Sequence, residues 1–302
     1  MKTLIPYIIA VAFGGLVLSS CEDVIDVDLV DAEPILVVDA WLNNQSIPQE
    51  IRLTRSQPYF DSSIPPGIED ASVLLRSSSG ITREFMYQAD GTYAWIPDAG
   101  EVLGTVGDSF FLEINWEGNT YSSSSSLKRV PRIDSIVTEN RTDEIFGPDG
   151  IYAQFFARDP QGVGDTYWIK TFKNGEFLNK PSELNIAYDA GFDPGSRIDG
   201  LIFIPPIREF INRIPDEDNE ADDGDVPPYE VGDLIRVEIH SINLEVFRFM
   251  ETARDQMRNG ENTIFAIPLA NTRGNVRNEA TGELVLGIFV VSAISSLEIE
   301  VE

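Results

Sequence analysis

From Pro34 to about Leu127 the chain reads as short runs of alternating bulky and polar residues, broken by turn signals every eight to twelve residues. A period of two turns one face of each run to a core and the other to water, which is strand behaviour, and no helical period competes with it. The candidate strands are 35–41, 50–55, 72–76, 82–87, 92–96, 110–115 and 120–125. Pro65-Pro66-Gly67, Ser79-Gly80, Asp90-Gly91 and Glu117-Gly118-Asn119 separate them with residues that suit tight turns. This pattern predicts an antiparallel β-sandwich, immunoglobulin-like or transthyretin-like, over 34–127.

The grammar changes after Lys128-Arg129-Val130-Pro131-Arg132, where a proline that cannot donate to a ladder and charges that favour solvent suggest a joint. Beyond it, strands are expected at 152–157, 166–173 (ending at the hairpin signal Asn174-Gly175), 201–204, 234–240, 284–294 and 297–301. One helix stands out over 243–259, where Val246, Met250, Ala253 and Met257 recur at helical spacing; Asn243 suits its N-cap, Glu245 its first turn and Gly260 its C′ position. A shorter helix is expected over 206–214, with Ile207, Phe210, Ile211 and Ile214 on one face. Residues 133–302 therefore read as an α+β domain, a mixed sheet packed on one main helix.

The N-terminus carries an address. Lys2 precedes an uncharged run over 4–18 that is shorter than the roughly 20 apolar residues a membrane span needs and contains Gly14-Gly15, so 1–20 reads as a signal peptide. Leu18-Ser19-Ser20-Cys21 resembles the bacterial lipoprotein signal, in which small residues precede a cysteine that is acylated through a thioether and becomes the new N-terminus. Cys21 is the chain's one cysteine. Residues 21–33 then form a lipidated acidic tether. Glu22, Asp23, Asp26 and Asp28 resemble the export tag of surface-displayed lipoproteins of Bacteroidota, implying a lipid-anchored protein of the outer membrane that faces the cell exterior.

Charge narrows the chemistry. With 22 Lys+Arg against 50 Asp+Glu and a net charge of −28, the chain would repel nucleic acid. One cysteine and one histidine make neither an internal disulfide nor a multi-histidine metal site. The run 216–225 concentrates carboxylates without a cation, and Asp216, Asp218, Glu220, Asp222 and Asp225 are the candidate Ca²⁺ ligands; the alternative is a solvated acidic loop. Counted from Asp218, the sixth position is Asp223 and the twelfth Tyr229, where a helix-loop-helix calcium site needs glycine and glutamate.

No catalytic set assembles from the sequence. His240 falls on the polar face of its strand with Arg236 and Glu238, as a surface histidine, and no Gly-x-Ser-x-Gly turn accompanies it. Gly162-Val163-Gly164 lacks the third glycine of a dinucleotide fingerprint. Trp41, Trp95, Trp116 and Trp168 either stack on sugars or, by the apolar strands that hold three of them, pack in the core, with Trp116 at a turn edge. Asp134-Ser135-Ile136 matches the short O-glycosylation pattern of the same bacterial phylum.

Several segments in order resemble the Bacteroidota lipoprotein family catalogued as domain of unknown function 4249. They are the acidic Val-Ile-Asp-Val-Asp run after Cys21, Glu33-Pro34-Ile35-Leu36-Val37-Val38, Arg52 to Asp61, Asp159-Pro160-Gln161-Gly162 before Tyr167-Trp168, Gly232-Asp233 leading into Ile239-His240-Ser241-Ile242, and Asn271 to Val276 before Leu286-Gly287-Ile288-Phe289. Leu269, between Pro268 and Ala270, departs from the commoner run of prolines and small residues. The resemblance implies an accessory surface lipoprotein without catalytic activity or cofactor, working beside a TonB-dependent receptor in substrate capture, and carries over no functional residue except Cys21. The rival expectation is a free-standing adhesion module that binds glycan or calcium.

Overall fold

Strands form where alternation places them in the first half: β1 (Leu36–Asn43), β2 (Gln49–Arg55), β3 (Ser72–Ser77), β4 (Thr82–Ala89), β5 (Thr92–Trp95), β6 (Ser109–Trp116) and β7 (Asn119–Ser126). The computed structural model describes residues 33–58, 61–142, 148–195, 197–213, 226–259 and 272–302. The leader, Cys21 with its tether up to residue 32, Ile214 of the expected short helix, the 216–225 run with all five candidate calcium ligands, and Gly260 lie outside the described residues. Strand accounts for 47% and helix for 9%, so the protein is mostly β.

Turn chemistry closes the hairpins. Asp90-Gly91, Glu117-Gly118 and Asn174-Gly175 all have positive φ at both residues, the geometry whose twist matches flanking antiparallel strands. In β1 the alternation is literal: Leu36, Val38, Ala40 and Leu42 are buried, while Asp39 is exposed and Val37, Trp41 and Asn43 are half-buried. β4 bends the sheet, since 82–85 pair with β3 and the remainder with β5, across a register shift between Tyr87 and Ala89.

The second half supplies β8 (Ile133–Arg141), β9 (Gly150–Ala157), β10 (Thr166–Lys173), β11 (Glu176–Phe177), β12 (Asn185–Tyr188), α1 (Pro205–Glu209), β13 (Leu234–Ile242), α2 (Leu244–Asn259), β14 (Arg277–Asn278), β15 (Leu286–Ser292) and β16 (Ile294–Glu300). β14 and β15 return to the first sheet, whose order is β14-β7-β6-β3-β4-β5-β2-β1-β15. Residues 128–132 thus mark where the chain changes sheet, within one compact unit, Pro34–Glu302. Arg129 there is not given over to solvent: it pairs with Asp165 at 2.6 Å and donates to the Gly162 carbonyl at 2.7 Å.

The sheet curls around one core until β15 approaches β7, and side chains close the remaining gap. The Asn275 side chain donates to the Phe289 carbonyl at 2.7 Å and accepts from the Phe289 N–H at 2.8 Å, as a neighbouring strand would. Ser123 Oγ donates to the Asn275 carbonyl and Ser125 Oγ accepts from Val291 N–H. A strand edge left unpaired here would strand buried N–H and C=O groups.

The mixed sheet expected after residue 133 is antiparallel instead: β10 pairs with β11, β12 and β13, and β13 with β16, all antiparallel. Parallel pairing occurs in the first sheet, between β1 and β15. The physical reason is the return of β15, which runs beside β1 before the chain passes through Ala293 into β16. β8 and β9 form a separate hairpin whose Ile133, Ile136, Ala153 and Phe155 share a core with Tyr167, Ile169, Val237 and Ile239 of the second sheet.

Two expected elements are absent or shortened, and β8, β11, β12 and β14 are strands that the sequence pattern does not announce. Residues 201–204 make no strand; Ile202 forms a single bridge to Arg158. The helix expected over 206–214 stops after Glu209, because Asn185 Nδ2 takes the Ile207 and Phe210 carbonyls and the Tyr229 hydroxyl takes that of Ile211. In α2, Val246, Phe247 and Met250 are buried against Ile242, Ile288 and Val290, whereas Met257, expected on the apolar stripe, is 49% exposed.

Candidate functional site

Where the outer face of β3, β6 and β7 meets α2 and residues 272–279, a cleft of about 1000 Å³ opens. Alternation builds its floor: Val73, Leu75, Phe110 and Leu112 point into the core, so Leu74, Arg76, Phe111 and Glu113 point out of it. Helical spacing builds its wall, since Glu245, Arg248, Phe249 and Thr252 share one face of α2. Arg273, Asn275 and Arg277 form the lip.

The charges in this cleft are unevenly spent. Arg277 donates to the Gly282 carbonyl, Glu279 accepts from Ser122 Oγ and Glu113 accepts from Asn115. The guanidinium groups of Arg76, Arg248 and Arg273 make no ion pair or hydrogen bond among the described residues. Such groups present planar forks of donors suited to carboxylate or phosphate oxygens. Sequence reasoning singled out none of the three; their signal was three of the chain's few cations at positions facing away from buried neighbours.

His240 lies with Arg236 and Glu238, as alternation required, but it is not a surface residue: it is 7% exposed. The covering is aromatic. Trp168 sits opposite it in the β10–β13 register, ring centroids 6.0 Å apart, and Trp41 packs on Trp168 at 4.8 Å. Glu238 Oε2 lies 2.9 Å from His240 Nε2. Burial pulls the imidazole below its usual range, opposed by that hydrogen bond. Burial likewise pulls Lys170 down to about 8, opposed by Glu238 and Asp39, and its ammonium rests 3.9 Å from the Trp168 ring centre. These groups hold one another in place, and no hydroxyl or thiol bonds the imidazole among the described residues.

A buried neutral histidine makes stability depend on pH. The unfolded imidazole takes up its proton near 6.5 and the folded one only at lower pH, so its contribution is complete above 6.5 and is lost as pH falls through the folded value. We expect urea unfolding of the wild type to weaken between about pH 7.5 and about 5.5, by up to about 1.4 kcal/mol per pH unit in the affected window. His240→Gln should flatten that slope; an equal slope in the variant would show that other groups carry it.

Three carboxylates, of Asp159, Asp189 and Asp199, come within 4.8 Å of one another, the first two buried. Asp159 accepts from the Tyr167 hydroxyl (2.7 Å) and Gly200 N–H (3.1 Å), Asp189 from the N–H groups of Gly164 and Asp165, and Asp199 from Gly162 N–H. Burial pushes the Asp159 carboxyl up, while Tyr167 and Gly200 hold it back. The cluster fastens the loop from Asp159 to Asp165 through backbone hydrogen bonds, and Arg129 clamps it from outside.

Trp41, Trp95 and Trp168 are half-buried. Trp116 ends β6 at the Glu117-Gly118 turn, as expected, and is buried, donates to Asp70 at 3.1 Å and lies under Arg55; Trp95 lies under Arg83. Ser135 is half-buried beside a register shift in β8. No curated protein matches the chain. A family model, Domain of unknown function (DUF4249), matches residues 22–298, most of the chain, and the protein therefore belongs to that family.

Proposed function

We propose that the protein is a non-catalytic lipoprotein of the outer membrane, of the Bacteroidota type, anchored by acyl chains on Cys21 and exposed at the cell surface, where it captures substrate for a TonB-dependent receptor. The observation that carries this reading is Leu18-Ser19-Ser20-Cys21 followed at once by Glu22, Asp23, Asp26 and Asp28. The open cleft supports a binding role, and the burial of His240 beneath Trp168, away from that cleft, speaks against its use as a general base. We read the curled first sheet as a sandwich of the immunoglobulin or transthyretin kind in which β4 passes from one layer to the other, and α2 as the main helix of an α+β second half.

A free-standing glycan-binding adhesion module would use the same cleft, and the receptor separates the two readings. Affinity purification of the tagged full-length protein from detergent-solubilised outer membrane should recover a TonB-dependent receptor in comparable amount. Recovery of the lipoprotein without any such receptor rejects the partnership and favours the adhesion module.

A further inference from the structure

The geometry points to an acidic oligosaccharide as the occupant of the cleft between the β3–β6–β7 face and α2, its carboxylates held by Arg76, Arg248 and Arg273; the assignment rests on the substrate-capture reading above. Five arginines outside the cleft are spent on the protein's own carboxylates: Arg55 pairs with Glu117, Arg83 with Glu101, Arg129 with Asp165, Arg141 with Glu139 and Arg236 with Glu238. The cleft gathers three guanidinium groups that make no ion pair or hydrogen bond among the described residues, a local concentration of positive charge in a chain of net charge −28. An anion that reaches the cleft meets donors that no internal partner has claimed.

The rest of the lining specifies what the anion is attached to. Glu113 and Glu245 also face the cleft, so a bare phosphate or sulfate, which needs donors only, would meet repulsion as well as attraction. Ring hydroxyls both donate and accept, and a lining of guanidinium and carboxylate groups satisfies both functions. Phe111, 48% exposed on the floor, offers a flat apolar face for the C–H side of a sugar ring. The volume lies at the top of the range of about 300–1000 Å³ usual for small-molecule sites, enough for several rings. An extended peptide would add to a free strand edge, but the edge strand here, β14, has two residues, and the cleft lies over the face of the sheet.

Calorimetric titration of the full-length lipoprotein in detergent with trigalacturonate, maltotriose and triglutamate tests the assignment. Trigalacturonate should bind about tenfold or more tighter than either of the others, and Arg248→Gln with Arg273→Gln should weaken it by about tenfold or more. Arg254→Gln, on the same helix outside the cleft, should leave affinity unchanged. Arg76→Gln on β3 gives an independent variant if the double variant unfolds, with a loss of about threefold or more expected. A flat trace with trigalacturonate, an affinity untouched by the cleft variants, or a preference for triglutamate overturns the assignment. A flat trace with the receptor still recovered removes this ligand and leaves the transport reading standing; binding without the receptor does the reverse.

Discussion

Gly287→Val should lower the thermal midpoint by roughly 10 °C, on the basis of about 2–5 kcal/mol lost and about 2–4 °C per kcal/mol for a unit of this size. Gly287 has φ +87 and lies opposite Val38 in the parallel β1–β15 ladder. A Cβ there would stand 1.9 Å from the Val38 carbonyl oxygen and 2.7 Å from its carbonyl carbon. The obstacle is backbone, which cannot rotate away, so the strands must separate. Left-handed backbone costs a branched residue about 1–2 kcal/mol, and overpacking in a tight core about 1–3 kcal/mol more. Gly100→Val isolates the first cost, because Gly100 has φ +80 with no atom within 4 Å of an added Cβ. Equal midpoint shifts in the two variants would show that contact between β1 and β15 is not what excludes a side chain.

That ladder also explains what could be read in advance. The first seven strands were legible because each buries one face, and Leu36, Val38, Ala40 and Leu42 announce it. The return of β15 was written less plainly: Ile288, Phe289, Val290 and Val291 form a continuous apolar run, as expected of a parallel strand covered on both faces. Phe289 and Val291 face the first core, Ile288 and Val290 the underside of α2. An apolar run identifies such a strand without naming its partner, so a mixed second sheet was expected where the parallel pair belongs to the first. β8 escaped notice because the register shift between Ile133 and Ser135 breaks its alternation. His240 shows the same limit, since its place on a polar face was legible but Trp168 and Trp41, which cover it, are remote in sequence. The cleft arginines come from β3, α2 and the segment before β14, and only folding brings them together.

Cys21→Ser should abolish outer-membrane attachment, the largest functional effect anticipated for any single substitution. On the proposed anchoring, a serine hydroxyl cannot form the thioether on which processing would depend, so the leader would stay uncut and the acyl chains would not be added. One acyl chain gives only marginal membrane binding, with a constant of about 10⁴ M⁻¹, whereas several together anchor a protein almost permanently. No helix among the described residues is long and apolar enough to cross a membrane. In fractionated cells the variant should be missing from the outer membrane, and its mass should exceed that of the processed backbone by the uncut leader. Wild-type abundance of Cys21→Ser in that fraction would mean that another part of the chain does the anchoring.

Mass spectrometry of the N-terminal peptide from the native protein tests the anchor most directly. Acylated Cys21 as the first residue, carrying a thioether-linked diacylglyceryl group, is the predicted result; an unmodified Cys21, or a mature chain that begins elsewhere, would contradict it.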